Sequence, residues 1–323
     1  MKVIKNVIFL ILLVISAILF TNAVFADKNF PEREVTLTLG ASPGGGSDMT
    51  LRALAKATEP FLGVPIVVVN LKGGVVSLAE CAAAPPDGYL LSMLTEQAQN
   101  IPMLYGDDIT FDEYSFKPVI TVNFDPAVVA VRSSSPFDTM ESLISYAKDN
   151  PGVVTMGNSG FGNIWHLCAV GLQSATGVKF THVPFFGAAP TLVATLGGHI
   201  TAMVASPPEL AAQARAGEVK MLGIMSDTRD PNWPELKTLK EQGIDFSLGT
   251  WRGLGAPKDT PDEIIKILHD AFKKGYETDE FQKFMIERGL GLLYRSSEET
   301  REWMEKDKVR FKQIMIDMGL IEE

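Results

Sequence analysis

Two glycine-rich stretches contain the residues best suited to binding a ligand. The first, "GASPGGGSD" (residues 40–48), separates an alternating run, "VTLTL", from a run with helical periodicity that begins near Met49. The first N–H groups of a helix have no intrahelical partner and carry the positive end of its dipole. Glycines let a ligand approach these groups, and Ser47 or Asp48 can cap the helix. The stretch therefore predicts an anion-binding turn, although a tight turn without a ligand explains one such stretch equally well.

The second stretch, "GNSGFGNIWHL" (residues 157–167), repeats the order strand, glycine-rich turn, helix in the other half of the chain. Open α/β sheets bind ligands at the carboxyl ends of their strands. Because two such turns on two lobes would face one cleft, the pair favours an anion clamp over two unrelated turns.

Familiar catalytic motifs do not fit this second stretch. The P-loop lysine is replaced by Asn163, the last glycine of a nucleophile elbow around Ser159 is Phe161, and the dinucleotide fingerprint fails at Trp165. No zinc-ligand spacing links the four histidines His166, His182, His199 and His269. We therefore expect ligand binding without catalysis, with no cofactor and no metal, and we expect His166 to be a packing residue.

The elements that position these turns alternate between short β-rich runs and longer helical runs, which predicts parallel sheets covered by helices. A second round of alternation begins near Pro151. Two extended segments, residues 117–131 and 244–257, are long enough to cross between lobes. We predict an α/β fold of two lobes, each a sheet flanked by helices. Residues 27–126 and 246–323 would form the first lobe and residues 127–245 the second.

The N-terminus indicates the compartment. Lys2 and Lys5 precede an apolar run from Val7 to Phe20, which is shorter than the roughly 18 residues that a membrane-spanning helix needs, and small residues follow. These features predict a signal peptide, residues 1–26, cleaved after Ala26. Since no cysteine follows that site to carry a lipid, we expect a free protein in the periplasm.

The net charge bears on the binding partners of the protein, and the cysteine content bears on disulfide formation. The net charge of −10 becomes −12 when the two lysines of the signal peptide are removed, which makes nucleic acid an improbable partner. Hydrophobic residues make up 46% of the chain, enough for ordinary packed cores. Cys81 and Cys168 fall in helix-like segments of different halves, so we expect two separate buried thiols.

Seven short motifs occur in an order that resembles one known family: "PGGGSD", "PDGYLL", "NSGFG", "THVPFFGAAPTL", "LGGHI", "WPELKTLKEQG" and "TWRGLGAPKDTP". In this respect the chain is similar to the solute receptors of tripartite tricarboxylate transporters, also called Bug proteins, over essentially its whole mature length. The resemblance implies a type II-like periplasmic binding protein whose two lobes close over a small carboxylate. It further implies that backbone N–H groups, small hydroxyls and ordered water hold the ligand, which passes to a two-subunit membrane permease.

The resemblance also implies the site residues. The ligand, a di- or tricarboxylate or an aromatic acid, would be held by a monomer through three turns, whose residues are Ser42, Gly44, Gly45, Gly46, Ser47 and Asp48; Ser159, Gly160, Phe161, Gly162 and Asn163; and Gly187 and Ala188.

The chain departs from the family pattern at several positions, which predicts a more apolar cleft. After the second strand only Gly73 and Gly74 remain of a longer glycine run. Phe185 and Phe186 replace a tyrosine and a polar residue, Asn163 replaces a hydroxyl residue, and Thr201 and Ala205 stand where acids are usual.

Several roles stay open at this point. Phe161 and Phe186 could flank an aromatic or long aliphatic acid, or Phe186 could pack on its own lobe. Trp251 is expected to pack at the hinge, whereas Arg252 could pair with a second carboxylate or be solvated. Glu96 would repel an anion, so it is turned away from the cleft or binds a cationic group. A receptor for a sensor kinase shares the same fold, and a periplasmic hydrolase is a weaker alternative.

Overall fold

The computed structural model describes residues 30–41, 43–185, 187–317 and 319–322. The expected signal peptide and two residues of interest, Ser42 and Phe186, lie outside these ranges. In the ranges described, no helix combines the length and the apolar character needed to cross a bilayer.

Ten strands in the described ranges form two five-stranded sheets. In chain order they are β1 (Val35–Leu39), β2 (Ile66–Asn70), β3 (Leu90–Leu94), β4 (Phe116–Pro126), β5 (Val128–Arg132), β6 (Thr155–Asn158), β7 (Thr181–Pro184), β8 (Ala202–Ala205), β9 (Val219–Ile224) and β10 (Gly249–Pro257). The first sheet has the order β2-β1-β3-β10-β4 and the second β7-β6-β8-β5-β9.

The alternation of strands and helices predicted parallel sheets, but each sheet is mixed, because the crossing segments add antiparallel strands. In the first, β1 pairs in parallel with β2 and β3, while β10 runs antiparallel to β3 and β4. In the second, β6 pairs in parallel with β7 and β8, while β5 runs antiparallel to β8 and β9. The turns predicted to bind a ligand follow β1 and β6, which are parallel strands of the two sheets.

Helices cover the sheets. Those described are α1 (Gly46–Leu62), α2 (Gly74–Ala83), α3 (Gln97–Tyr105), α4 (Met140–Asp149), α5 (Ile164–Thr176), α6 (Ala188–Leu196), α7 (Pro207–Arg215), α8 (Asp262–Tyr276), α9 (Asp279–Glu287) and α10 (Ser297–Asp317). Helix α8 shows why the sequence folds this way: its buried residues recur every three or four positions, which gives one apolar face.

Two segments join the sheets and hydrogen-bond to each other. Strand β4 continues into β5 through Ala127, and the chain returns between β9 and β10. The Ala127 N–H donates to Leu248 O at 3.0 Å, and the Met225 N–H donates to Ala127 O at 2.7 Å. The predicted α/β fold, two sheets flanked by helices and joined by two crossing segments, is confirmed.

The last helix, α10, packs against both sheets. Met304 lies in a core cluster with Leu94 and Trp251 of the first sheet, whereas Phe311 and Met315 lie in the core of the second. The lobe boundaries predicted from the sequence remain a prediction, and α10 links the two units.

The two cysteines are free and buried, as expected. Burial raises the pKa of Cys81 to about 12 and raises that of Cys168 well above its ordinary value, so both are neutral thiols near neutral pH.

Candidate functional site

The first turn leaves helix α1 without a side-chain cap. Its N-cap is Gly45, with φ −74° and no capping side chain, so neither Ser47 nor Asp48 caps the helix as the sequence had suggested. Gly44 takes the left-handed backbone, with φ +79°. Among the described residues, the N–H groups of Gly45, Gly46 and Ser47 have no acceptor. Three donors at the positive end of a helix therefore stay available to an anion.

The buried Asp48 side chain stabilises this turn through hydrogen bonds. It is buried and accepts hydrogen bonds from the Gly44 N–H at 2.8 Å, from Asn70 Nδ2 at 2.9 Å and from Arg52 Nε at 2.9 Å. Although burial opposes ionisation, these three donors hold the pKa of Asp48 below its usual value. Its carboxylate thus shapes the turn, and a direct contact with a ligand stays a prediction.

The second turn satisfies more of its own donors. Asn163 caps α5 by accepting from the Trp165 N–H at 3.2 Å, and it also accepts from Ser159 Oγ at 3.0 Å. The Gly160 and Gly162 N–H groups donate to Asn158 Oδ1 and His166 Nδ1, each at 3.1 Å. The Phe161 N–H has no acceptor in the part of the chain described, and the Phe161 side chain is 69% exposed.

His166 is the packing residue that the sequence predicted. It is buried, and its ring centroid lies 5.0 Å from those of Phe161 and His182, tilted relative to the first ring and edge-on to the second. Burial, assisted by the neighbouring His182, lowers the pKa of His166 to about 4. The ring is therefore neutral near pH 7 and adds no positive charge to the second turn.

The third turn is tied to the second. Gly187, with φ +102°, is the N-cap of α6, and Ala188 begins that helix. Thr191 Oγ1 donates to Gly187 O at 2.8 Å and to Asn158 O at 3.3 Å. Asn158 thereby connects the second and third turns, and its Nδ2 is buried without a hydrogen-bond partner.

Arg252 is buried rather than solvated, and it lies against the first turn. Its Nε donates to Ser47 Oγ at 2.9 Å, and its Nη1 donates to Asn123 and Asp125. A Cβ added to Gly46 would lie 3.4 Å from Arg252 Nη2. Nη2 has no acceptor among the residues that the structure describes, so a guanidinium donor lies beside the free N–H groups of α1.

Glu96 is buried at the N-cap position of α3. It is 4% exposed and accepts a 3.0 Å hydrogen bond from Thr250 Oγ1 on β10. Burial raises the pKa of Glu96 to about 7, although hydrogen bonds and the charge of Arg252 act in the opposite direction. Thr250 and Arg252 are two residues apart on β10 and so share a face.

The two lobes touch beside this region. Leu104 of α3 packs against the core of the second sheet, and a Cβ added to Gly162 would lie 3.2 Å from Leu104 Cδ1. Pro208 of α7 approaches Gly289, after α9. The first and second turns therefore belong to lobes that meet.

Other residues that the sequence singled out pack inside the lobes. Trp251 is 1% exposed and lies 5.6 Å from the Trp303 ring, which fits the predicted packing role. Phe185 packs on the core of the second sheet. A Cβ on Gly74 would overlap the Gln97 side chain, so the start of α2 is covered.

Sequence reasoning missed three polar residues of this region: Asn123, Asp125 and Asn158. Asn123 and Asp125 flank Phe124 at the end of strand β4, and that spacing was a usable signal of two polar side chains on one face. No comparable signal marked Asn158, because its role depends on the neighbouring turn.

Comparisons with known proteins show which family model and which solved structures this chain resembles. Residues 50–320 match the model of the family described as "Tripartite tricarboxylate transporter family receptor". A solved TctC solute binding protein from Polaromonas is 34% identical, with a TM-score of 0.78 over 89% of this chain and 99% of that one. MatC from Rhodopseudomonas palustris with bound malate is 25% identical (TM-score 0.74; 88% and 99% covered). A second R. palustris protein, with adipate, is 27% identical (TM-score 0.77; 90% and 99% covered).

Proposed function

The chain belongs to the tripartite tricarboxylate transporter receptor family, and we propose that it is a periplasmic receptor that binds a small dicarboxylate and delivers it to the membrane permease of such a transporter. The observation that carries the proposal is the group of free donors at the first turn. Three N–H groups of the α1 N-terminus lie beside Arg252, whose Nη2 is also free within the described ranges. Fixed donors of this kind suit a carboxylate.

The second lobe supports the same proposal. The turn after β6 faces the first lobe where Leu104 meets Gly162, and it leaves the Phe161 N–H free. One carboxylate would lie on the α1 N–H groups and Arg252, and closure of the lobes would bring the second turn to the rest of the ligand. The malate and adipate of two relatives support a dicarboxylate. The N-terminal signal-peptide pattern supports the periplasm.

A thermal-shift screen tests the proposal. The mature chain would be melted with malate, succinate, glutarate, adipate, citrate and benzoate, and with chloride at matched ionic strength as the control. A ligand at 100 times its Kd stabilises the folded state by about 2.7 kcal/mol, which shifts Tm by several degrees. We expect such a shift for at least one dicarboxylate. Equal melting curves with every acid and with chloride would refute the proposal.

A further inference from the structure

Three residues of α3 lie on the face of the helix that is next to the second lobe. Glu96, at the N-cap position with helical φ and ψ, precedes Asn100 and Leu104 at intervals of four, so the three side chains are neighbours. Leu104 lies at Gly162 of the second turn, and Cys168 of α5 is within electrostatic range of Glu96. The face formed by Glu96, Asn100 and Leu104 therefore lies where the lobes meet.

One of the two polar members of this face has an oxygen acceptor that lacks a donor. Glu96 is buried and accepts a hydrogen bond from the Thr250 hydroxyl, and the N–H groups of Glu96 and Trp251 also favour its ionised form. Asn100 is 4% exposed, and its Oδ1 is buried without any hydrogen-bond partner. Burying a carbonyl oxygen without a donor is costly, so an orphan of this kind calls for an explanation such as a ligand.

The protein supplies no uncommitted positive charge to these oxygens within the ranges described. Arg252 is hydrogen-bonded to Asp125, Asn123 and Ser47 through Nε and Nη1, and its remaining Nη2 lies at the first turn beside Gly46. From α5, His166 is neutral because burial lowers its pKa to about 4, and the Cys168 thiol is neutral because burial raises its pKa.

A further carboxylate increases the excess of carboxyl groups over positive charges in this region. Glu209 of α7 lies within electrostatic range of Arg252 and Asp125. The meeting faces of the lobes thus hold the carboxyl groups of Glu96, Asp125 and Glu209 against one guanidinium. A receptor for a purely anionic ligand would gain nothing from this excess of acceptors.

We propose that Glu96 and Asn100 bind an ammonium group of the ligand, so that the receptor recognises an amino acid whose carboxylate lies on the glycine-rich turns. This inference rests on the proposed function. An ammonium has three N–H donors and no acceptor, and Glu96, Asn100 Oδ1 and the Thr250 hydroxyl oxygen can each accept one of them. The bond to Glu96 is charge-assisted, which makes it the stronger determinant of specificity.

Matched pairs of acids test the inference. Affinities for aspartate and succinate, and for glutamate and glutarate, would be measured by calorimetry at pH 8, where Glu96 is ionised. We expect the amino member of a pair to bind at least tenfold more tightly. Glu96→Gln should lower its affinity tenfold to a hundredfold and raise that of the plain diacid, because one charge-assisted bond and one repulsion are lost.

Two further variants sharpen the result. Glu80→Gln, at an exposed position of α2, makes the same change of net charge and should leave the preference intact. Asn100→Ala removes the orphan oxygen, so it should weaken binding of the amino member several-fold without lowering Tm. Unchanged affinity in Asn100→Ala would remove that residue from the subsite.

The outcomes separate the two proposals. Plain diacids that bind as tightly as their amino counterparts, or a preference that survives in Glu96→Gln, would overturn the ammonium subsite and leave the proposed function standing. If none of the four acids binds while another dicarboxylate of the thermal-shift screen does, the ammonium subsite is overturned and the proposed function stands. If no dicarboxylate of that screen binds either, the proposed function is refuted and the subsite falls with it.

Discussion

Glu96 couples the stability of the fold to pH near neutrality. Its pKa is about 7 in the folded protein, against an ordinary value of 4.5 that we take for the unfolded chain. The folded state therefore keeps a proton that the unfolded state loses, so the stabilising contribution is present below pH 4.5 and is lost as the pH rises through 7. Relative to Glu96→Gln, we expect the wild-type protein to lose about 3 kcal/mol of unfolding free energy between pH 4.5 and 8.

Urea unfolding of both proteins at several pH values measures this difference. His166 acts in the opposite sense, because its depressed pKa makes the folded state lose stability as the pH falls from 6.5 toward 4. Since His166 is present in both proteins, its effect cancels in the difference. Parallel stability curves for the wild type and Glu96→Gln would contradict the assignment.

The three glycines of the first turn should respond differently to alanine. Gly44 has φ +79°, so Gly44→Ala should cost about 1 kcal/mol of stability. Gly45 has φ −74°, and a Cβ on Gly46 would make ordinary 3.4 Å contacts with Arg252 and Leu290. We expect Gly45→Ala and Gly46→Ala to keep Tm nearly unchanged and to lose the ligand-induced thermal shift, because the new methyl groups obstruct the N–H donors.

Gly44→Ala is the control in this series, because we expect it to lower stability through backbone strain alone. Melting curves with and without the acid that gives the largest shift would be compared for all three variants. Normal ligand-induced shifts in both Gly45→Ala and Gly46→Ala would show that the turn binds no anion.

At the scale of single elements, the start of α5 depends on Asn163. If Asn163 only contacted a ligand, Asn163→Ala would weaken binding and leave the fold intact. The structure changes that expectation, because Asn163 caps α5 and accepts from Ser159. We now expect Asn163→Ala to lower stability by about 1 kcal/mol as well as to weaken binding, whereas Asn163→Ser should retain the cap. Calorimetry and thermal melts of both variants test this. If the Asn163→Ala protein melts at the wild-type Tm, the Asn163 cap does not stabilise α5.

The local pattern of the sequence was enough to predict the elements. Alternating apolar runs predicted the strands before each glycine-rich turn, and the periodicity after Met49 predicted α1. The position of β10 between β3 and β4 could not be predicted, because it depends on pairing between segments far apart in the chain. The pairing of Arg252 with Asp125 follows from that same position. Likewise, the face of α3 that meets the second lobe appears only after both lobes are built.

At the level of the whole molecule, α10 packs into cores of both lobes, so we expect the two lobes to unfold together. Its first half packs with Trp251 beside the first sheet, and its second half inserts Phe311 and Met315 into the core of the second. The buried bonds between the crossing segments at Ala127 and Leu248 add a second link. A helix that belongs to both cores cannot leave one of them without disturbing the other.

Phe311→Ala tests this coupling. Phe311 is fully buried, so its truncation should cost about 3–5 kcal/mol. Val309, two positions earlier on the same helix, is 72% exposed, so Val309→Ala should change stability by less than about 0.5 kcal/mol. Because α10 spans both cores, we expect Phe311→Ala to unfold in one transition at a lower urea concentration. Tryptophan fluorescence, which reports on Trp165 and Trp233 in the second lobe and on Trp251 and Trp303 beside the first sheet, should follow that single transition. Two separate transitions, with only the second lobe destabilised, would show that the lobes unfold independently and that α10 does not couple them.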